Sequence, residues 1–164
     1  MSTERKGCLF GFLSLFFGGS RPTASGPGLL RVIVNKKFVS AAEADFFRVL
    51  RSVVGTRGHV LAQVSLRQLL WFPPGQAGVQ AWRNKVAGRA IDFVVCDVAT
   101  LRPLVAIELD EPSHARPERR TRDDEVHAIL AAAGLPFVGV ITSRTYDTRE
   151  LEAAIGPYLP KAAR

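Results

Sequence analysis

Cysteine is nearly absent from this chain of 164 residues, which contains only Cys8 and Cys96. Two cysteines so far apart exclude a disulfide framework and a cysteine-based zinc cluster. Cys96 alternates with valines in an apolar run, which predicts a small buried core residue. The chain also lacks an apolar run of the roughly 20 residues that a membrane-spanning helix needs. Its composition, 47% hydrophobic and 23% charged, is that of a globular protein whose core is stable without disulfides.

Acidic residues are scarce in the first half of the chain. Residues 1–90 contain 13 Lys or Arg and 3 Asp or Glu, whereas residues 91–164 contain 9 and 12. The net charge of +7 therefore combines a basic half with an acidic one. This asymmetry favours a surface that binds a polyanion such as nucleic acid beside a centre that binds a cation. Charge alone leaves open that the basic residues only make the surface soluble.

The amino-terminal segment differs from the rest of the sequence. Residues 8–17 form an apolar run, and a stretch rich in Gly, Ser and Pro follows it as far as Gly28. The pattern predicts two parts, namely an apolar segment with a flexible linker over residues 1–28 and a folded domain over residues 29–164. The run suits peripheral contact with a membrane or docking on another protein. The expected location is the cytoplasm, with or without membrane association.

The spacing of apolar residues predicts an α/β domain. Ser40 and Glu43 form a capping-box pattern in front of a helix over residues 41–54. Residues 91–97 and 104–110 are apolar runs joined by a short connection, which predicts a β-hairpin. The remaining predicted elements are strands at 60–65 and 137–141 and helices at 119–133 and 148–155. Their order along the chain is αβββαβα.

Acidic residues interrupt the apolar runs of this hairpin. Asp92 lies in its first strand, and Glu108 and Asp110 share one side of its second strand. The hairpin brings these acids together, where like charges repel and are costly to desolvate. A divalent cation removes that cost, and oxygen ligands are those that Mg²⁺ and Mn²⁺ prefer. The alternative is an acid at a strand end in water, which suits Asp97 and Glu111 better than Asp92 and Glu108.

Asp92, fifteen further residues and then Glu108-Leu109-Asp110 resemble the acidic motif of the PD-(D/E)xK nuclease superfamily. The order of the elements is similar to the core of that superfamily, which implies a restriction-endonuclease-like fold with a central mixed β-sheet flanked by helices. The series of Asp, Glu-x-Asp and His over residues 40–158 also resembles the very-short-patch mismatch-repair endonucleases. A closer resemblance is to an uncharacterised bacterial domain family of this class, through the patterns at residues 91–97, 107–110, 113–114, 122–123 and 132–136.

The resemblance implies a nuclease that uses Mg²⁺ or Mn²⁺ to hydrolyse phosphodiester bonds of nucleic acid, with DNA as the expected substrate. His114 would protonate the leaving group or orient water, although a solvated loop histidine is an equal alternative. Glu43 resembles a helix-borne glutamate of such sites, but its capping-box position also explains it. Gln63 either faces the acids or bonds within the sheet. The implied site residues are Asp92, Glu108 and Asp110 as metal ligands, with His114, Glu43 and Gln63 as further catalytic residues.

The chain departs from the superfamily pattern at one position. Asp110 stands where the pattern has Lys, so the usual positive group beside the attacked phosphate is missing there. His114, Lys85 and Arg122 are the candidates to replace it. This departure supports a second hypothesis, a catalytically degenerate nuclease fold that binds nucleic acid or protein, with or without a membrane tether. A glycosidase with paired carboxylates is a weaker third, because two acids on one hairpin are unusually close for that chemistry.

Two tryptophans flank a loop rich in Pro and Gly. Trp71 and Trp82 are predicted to pack in the core, as most of an indole is apolar. The alternative is that they stack on the bases of a nucleic acid.

Overall fold

The computed structural model describes residues 33–110 and 117–161, without the side chains of residues 117–123. The described residues from Lys37 onward belong to one compact unit. The predicted boundary after Gly28 and the apolar run at residues 8–17 lie outside the described residues and stay predictions. None of the helices in the described part is both long and apolar enough to cross a membrane.

The predicted helices and strands are present. Residues 66–70 were also expected to form one or two helical turns, and the structure has a helix there, with a second, unpredicted helix before the next strand. The helix over Val79–Val86 was not predicted, although Val79, Trp82 and Val86 have helical spacing, because it has only eight residues and follows a loop rich in Pro and Gly. The last α-helix, over Thr148–Ile155, is followed by one turn of 3₁₀ helix over Gly156–Tyr158. The described elements are α1 (Ala41–Val54), β1 (His59–Ser65), α2 (Leu66–Leu69), α3 (Val79–Val86), β2 (Ala90–Cys96), β3 (Pro103–Asp110), α4 (Pro117–Ala132), β4 (Phe137–Ile141) and α5 (Thr148–Ile155).

The four strands form one mixed sheet in the order β1-β2-β3-β4. The pairs β1–β2 and β2–β3 are antiparallel, and β4 runs parallel to β3. Helix α4 provides the crossover that a parallel pair of consecutive strands requires. The predicted α/β class, with a central mixed sheet flanked by helices, is therefore confirmed.

Two apolar cores lie on the two faces of the sheet. Neighbouring residues of β2 point to opposite faces, and Val95 belongs to the first core while Val94 belongs to the second. The predicted burial of Cys96 is confirmed, since only 2% of it is exposed and burial raises the pKa of its thiol. The first core joins α1 and α5 through Phe46, Leu50, Val54, Leu151 and Ile155, and the second joins α2, α3 and α4 through Leu66, Val86, Val126 and Leu130.

Local hydrogen bonds fix the ends of the elements that carry the acids. The capping box of α1 is formed, with Ser40 and Glu43 each accepting a backbone N–H of the other. The β2–β3 turn is closed by Asp97, whose Oδ1 accepts the backbone N–H of Thr100 at 2.8 Å. The hydrogen bonds that the side chain and the backbone N–H of Thr100 donate to Asp97 lower the pKa of Asp97, because they stabilise its ionised form. Asp97 is thus a turn residue, as its position at the strand end predicts.

Strand β1 changes face at Gln63. Ala62 packs against the first core and Val64 against the second, although residues two apart in a regular strand share a face. Gln63 between them has a φ of 53°, in the left-handed region that a residue with a side chain rarely adopts. This backbone conformation interrupts the pleat and sends the end of β1 toward the second core.

Candidate functional site

Strand β2 changes face at the position opposite Gln63. Ile91 belongs to the second core and Phe93 to the first, so Asp92 lies where the alternation of β2 is broken. The antiparallel register of β1 and β2 continues without a shift on both sides of this position and places Gln63 opposite Asp92. Both strands therefore depart from regular alternation at the same rung of the ladder. The side chain of Asp92 therefore does not follow the regular alternation of β2 between the two faces of the sheet.

Asp92 is half-buried and interacts with three elements. Its Oδ2 accepts the backbone N–H of Leu109 in β3 at 2.9 Å. Burial is the largest cause that raises the pKa of Asp92, and the charge and hydrogen bonding of Glu43 raise it further. Hydrogen bonds from Leu109 and Gln63 act in the opposite direction, because they stabilise the ionised form. Asp92 is thus a carboxylate held beside a second carboxylate in a partly desolvated place.

Glu43 has a role in the cap of α1 and a contact with the sheet at once. One of its oxygens, Oε2, accepts the backbone N–H of Ser40, while Ser40 Oγ accepts the N–H of Glu43 at 3.2 Å. The other oxygen, Oε1, accepts a hydrogen bond from Nε2 of Gln63 at 2.8 Å. The two interpretations of Glu43 from the sequence are therefore compatible in geometry. Gln63 connects Glu43 to the rung that carries Asp92.

Glu108 and Asp110 lie on β3, next to Gly139 of β4. Continuing the register of β2 and β3 by one pair places Glu108 opposite Asp92, and Glu108 is paired on its other side with Gly139. Asp110 is exposed and bends toward β4, since a Cβ built at Gly139 would come within 2.7 Å of its Oδ2. The lack of a side chain at Gly139 thus leaves room for the Asp110 carboxylate. Asp92 contacts Glu43 of α1, whereas Asp110 lies over the neighbouring strand on the other side of β3.

Within the described parts of the chain, no three side chains of His, Cys, Asp or Glu are grouped so as to hold a metal ion. The proposed ligand set of Asp92, Glu108 and Asp110 therefore stays a prediction. Mg²⁺ commonly uses only one or two protein carboxylates and completes its octahedron with water and substrate phosphates. Asp92 and Glu43 supply two carboxylates, and a cation would relieve the repulsion that raises the pKa of Asp92. These residues fit Mg²⁺ or Mn²⁺ in charge and in donor type.

Of the candidates for the missing positive group, the structure describes the side chain of Lys85. Lys85 binds Oε1 of Glu125 through its Nζ at 2.7 Å and lies 4.7 Å above the ring of Trp82. This ion pair links α3 to α4. His114 lies outside the described residues, and so does the side chain of Arg122. Their contribution to the site stays a prediction.

The prediction that Trp71 packs in the core is wrong, because 81% of this residue is exposed. Trp82 is exposed as well, at 37%, so the same prediction is wrong for this residue. The connection between β1 and β2 is buried at Leu70 and Val86, and none of residues 71–85 between them is buried. The run of Pro and Gly after Trp71 was the available signal, since such residues indicate a surface loop.

The described unit is thus an α/β domain with a half-buried acidic site on a mixed sheet. Residues 35–158 match the family described as "Protein of unknown function (DUF2726)", and the chain belongs to this family. Comparison with curated proteins gave no match, and comparison with solved structures gave none. The resemblance to an uncharacterised domain family is confirmed, whereas the family match carries no link to the PD-(D/E)xK superfamily or to the very-short-patch endonucleases.

Proposed function

We propose that this chain is a metal-dependent nuclease of the restriction-endonuclease-like, PD-(D/E)xK class, related to the very-short-patch repair endonucleases. It hydrolyses phosphodiester bonds of nucleic acid, with DNA as the first substrate to examine. The observation that carries the proposal is the environment of Asp92, a half-buried carboxylate whose pKa is raised by burial and by Glu43. Such a carboxylate weakens the fold of the free protein, and perturbed acids of this kind concentrate at functional sites.

The order of the elements supports the same class. Helix α1 and the three antiparallel strands precede a crossover helix and a parallel strand, which is the αβββαβ arrangement that the motif resemblance implies. In this arrangement the acids come from α1, β2 and β3, and the bond between Glu43 and Gln63 links the acid of α1 to the sheet. Elements far apart in sequence therefore supply one site.

Each residue of the site has a distinct part in the proposed activity. Asp92 is the principal metal ligand, with Glu43 and Glu108 at its sides, and a bound Mg²⁺ or Mn²⁺ would activate water and neutralise charge on the phosphate. The N–H of Leu109 fixes the orientation of the Asp92 carboxylate. Gln63 orients Glu43 through its amide. Asp110, at the end of β3, and His114, four residues later in the sequence, would orient water or donate a proton.

The basic half of the chain binds the phosphate backbone in this proposal. Contacts with phosphates release counterions, so binding to nucleic acid should weaken steeply as salt is added. Charge reversal at Lys36, Lys37 or Arg83 should weaken that binding and leave metal affinity unchanged. These contacts hold a strand without reading its sequence.

The test uses the purified full chain with Mg²⁺ or Mn²⁺ on single- and double-stranded DNA and RNA. We expect cleavage that Asp92→Asn and Glu108→Gln abolish, while His114→Ala slows it and leaves metal binding intact. Asp45→Asn is the matched control, because Asp45 is an exposed carboxylate on α1 that pairs with Arg48. Cleavage that persists in Asp92→Asn would place the activity elsewhere in the chain or in a contaminant.

A second candidate is a degenerate nuclease fold that binds nucleic acid or protein without chemistry. It is favoured by one observation, the carboxylate of Asp110 in the position where the superfamily pattern has Lys. Calorimetric titration with Mn²⁺ separates the two candidates. No heat of binding, together with no cleavage of any of the four substrates, would leave the binding module as the function.

A further inference from the structure

The connection between β1 and β2 is a surface segment that carries both tryptophans of the chain. Leu66 and Leu70 hold its start in the second core, and Val86 holds its end. Between these anchors, residues 71–85 include no buried residue. Trp71, immediately after the first anchor, is 81% exposed. An indole this exposed contributes little to folding and is available to a partner.

The charge of this region indicates what the partner is. Residues 46–91 contain seven Lys or Arg and no Asp or Glu. Arg67 and Arg83 are exposed within the connection, and the ammonium of Lys85 lies 4.7 Å above the ring of Trp82. Aromatic rings interleaved with cations suit a ligand that alternates flat π surfaces with negative charges. A nucleic acid strand with accessible bases has this chemistry, whereas a paired duplex keeps its base faces stacked inside.

The connection leaves the sheet at the end where the acids lie. Helix α2 begins directly after Ser65, which pairs with Ala90 at the start of β2. Gln63 and Asp92 form the rung two residues further into the sheet. A strand that reaches Asp92 from this end of the sheet therefore has the β1–β2 connection beside it.

We propose that Trp71 stacks on an unpaired base, and that the preferred substrate is consequently a single strand or a duplex with an unpaired nucleotide near the cleaved phosphate. This inference rests on the proposed nuclease function and adds to it the class of substrate. Trp71 supplies the stacking surface, and Arg67 and Arg83 contact the phosphates on either side. Loss of one base–aromatic contact weakens binding about tenfold.

The experiment measures binding of the full chain to a fluorescent single-stranded oligonucleotide and to the duplex of the same length, with EDTA present so that nothing is cut. The variants are Trp71→Ala and Trp71→Phe. Tyr158→Ala is the matched control, because Tyr158 is another surface aromatic, 41% exposed, outside the connection. Because Trp71 is not buried, we expect its replacement to leave the fold intact, and circular dichroism of each variant checks this. Intrinsic tryptophan fluorescence provides a second readout, since stacking on a base quenches an indole.

We expect the wild type to bind the single strand more tightly than the duplex. Trp71→Ala should weaken single-strand binding about tenfold and remove most of the quenching, while Trp71→Phe retains most of the affinity and Tyr158→Ala all of it. Equal affinity for both forms, unchanged by Trp71→Ala, would overturn this inference and leave the nuclease proposal standing. No binding of either form by the wild type would instead overturn the proposed function itself. A wild-type dimer that Trp71→Ala dissociates would also overturn the inference, because the indole would then serve contact between two copies.

Discussion

Replacement of Asp92 by Asn should make the metal-free protein more stable at neutral pH. Burial, followed by the neighbouring Glu43, raises the pKa of Asp92, so the folded state holds this proton more tightly than the unfolded chain does. The stability that the protonated group contributes is present at low pH and is lost as the pH rises from the unfolded pKa through the raised folded pKa. At neutral pH the ionised carboxylate therefore costs stability. In Asp92→Asn, the oxygen of the new amide can still accept the N–H of Leu109, and the substitution removes the negative charge beside Glu43.

The expected gain follows from the repulsion that is removed. Two like charges 4 Å apart repel by about 1 kcal/mol in bulk water and about 4 kcal/mol at the effective dielectric near a protein surface. Asp92 is only half-buried, and hydrogen bonds from Leu109 and Gln63 offset part of its cost. We therefore expect Asp92→Asn to add about 1–2 kcal/mol to the free energy of unfolding. In a chain of this length that corresponds to a rise in Tm of about 2–8 °C.

The measurement is thermal unfolding of wild type and Asp92→Asn in EDTA between pH 8 and pH 4. The difference in Tm should be largest near neutrality and should shrink as acid protonates Asp92 in the wild type. Asp45→Asn removes the same charge from an exposed site paired with Arg48 and should lower stability slightly or leave it unchanged. Excess Mn²⁺ should raise the Tm of the wild type and have little effect on Asp92→Asn. A variant that is less stable than the wild type at pH 7 without metal would show that Asp92 is stabilised where it lies, and the reasoning would be refuted.

Three further changes probe the fold around the site. Gln63→Gly and Gln63→Ala both remove the amide, but Gly tolerates the φ of 53° and should be more stable than Ala by about 1 kcal/mol in urea unfolding. Gly58→Ala should cost about 2 kcal/mol by the same assay, because the new Cβ would lie 2.7 Å from Cγ1 of buried Val95. Glu152→Gln removes a two-bond ion pair with Arg57, at 2.8 and 2.5 Å, and should cost about 1 kcal/mol at neutral pH. Since Arg57 lowers the pKa of Glu152, the stability it adds is lost as the pH falls through that lowered pKa, and the variant and wild type should converge in acid.

The elements that local rules specify were predicted closely from the sequence. The capping box at Ser40 gave the start of α1, and Gly55 gave its end. The apolar runs of β2 and β3, interrupted only by the acids, and the apolar run of β4 gave the sheet, because central strands carry few polar residues. Helix α3 was not predicted because it has only eight residues and follows a loop rich in Pro and Gly, although Val79, Trp82 and Val86 have helical spacing.

The contacts of the site depend on distances along the chain that local patterns do not encode. Glu43 and Gln63 are 20 residues apart, and Gln63 has a left-handed backbone conformation that the sequence does not predict for a residue other than glycine. The sequence identified Asp92 as an acid in an apolar run, but its contact with Glu43 followed only from the fold. Asp110 was placed on one side of β3 with Glu108, and its bend over Gly139 depends on the neighbouring parallel strand.

Between the buried residues Leu70 and Val86, most side chains are exposed, and Phe72 and Lys85 link this stretch to the second core and to α4. The exposed residues of the stretch can consequently change at little cost to either core, while Asp92 and Glu43 stay fixed by strands and a capped helix. Selection can therefore act on this stretch and on the acids independently. An exchange of these exposed residues between two members of the family is therefore expected to change what the segment contacts and to preserve the stability of the domain.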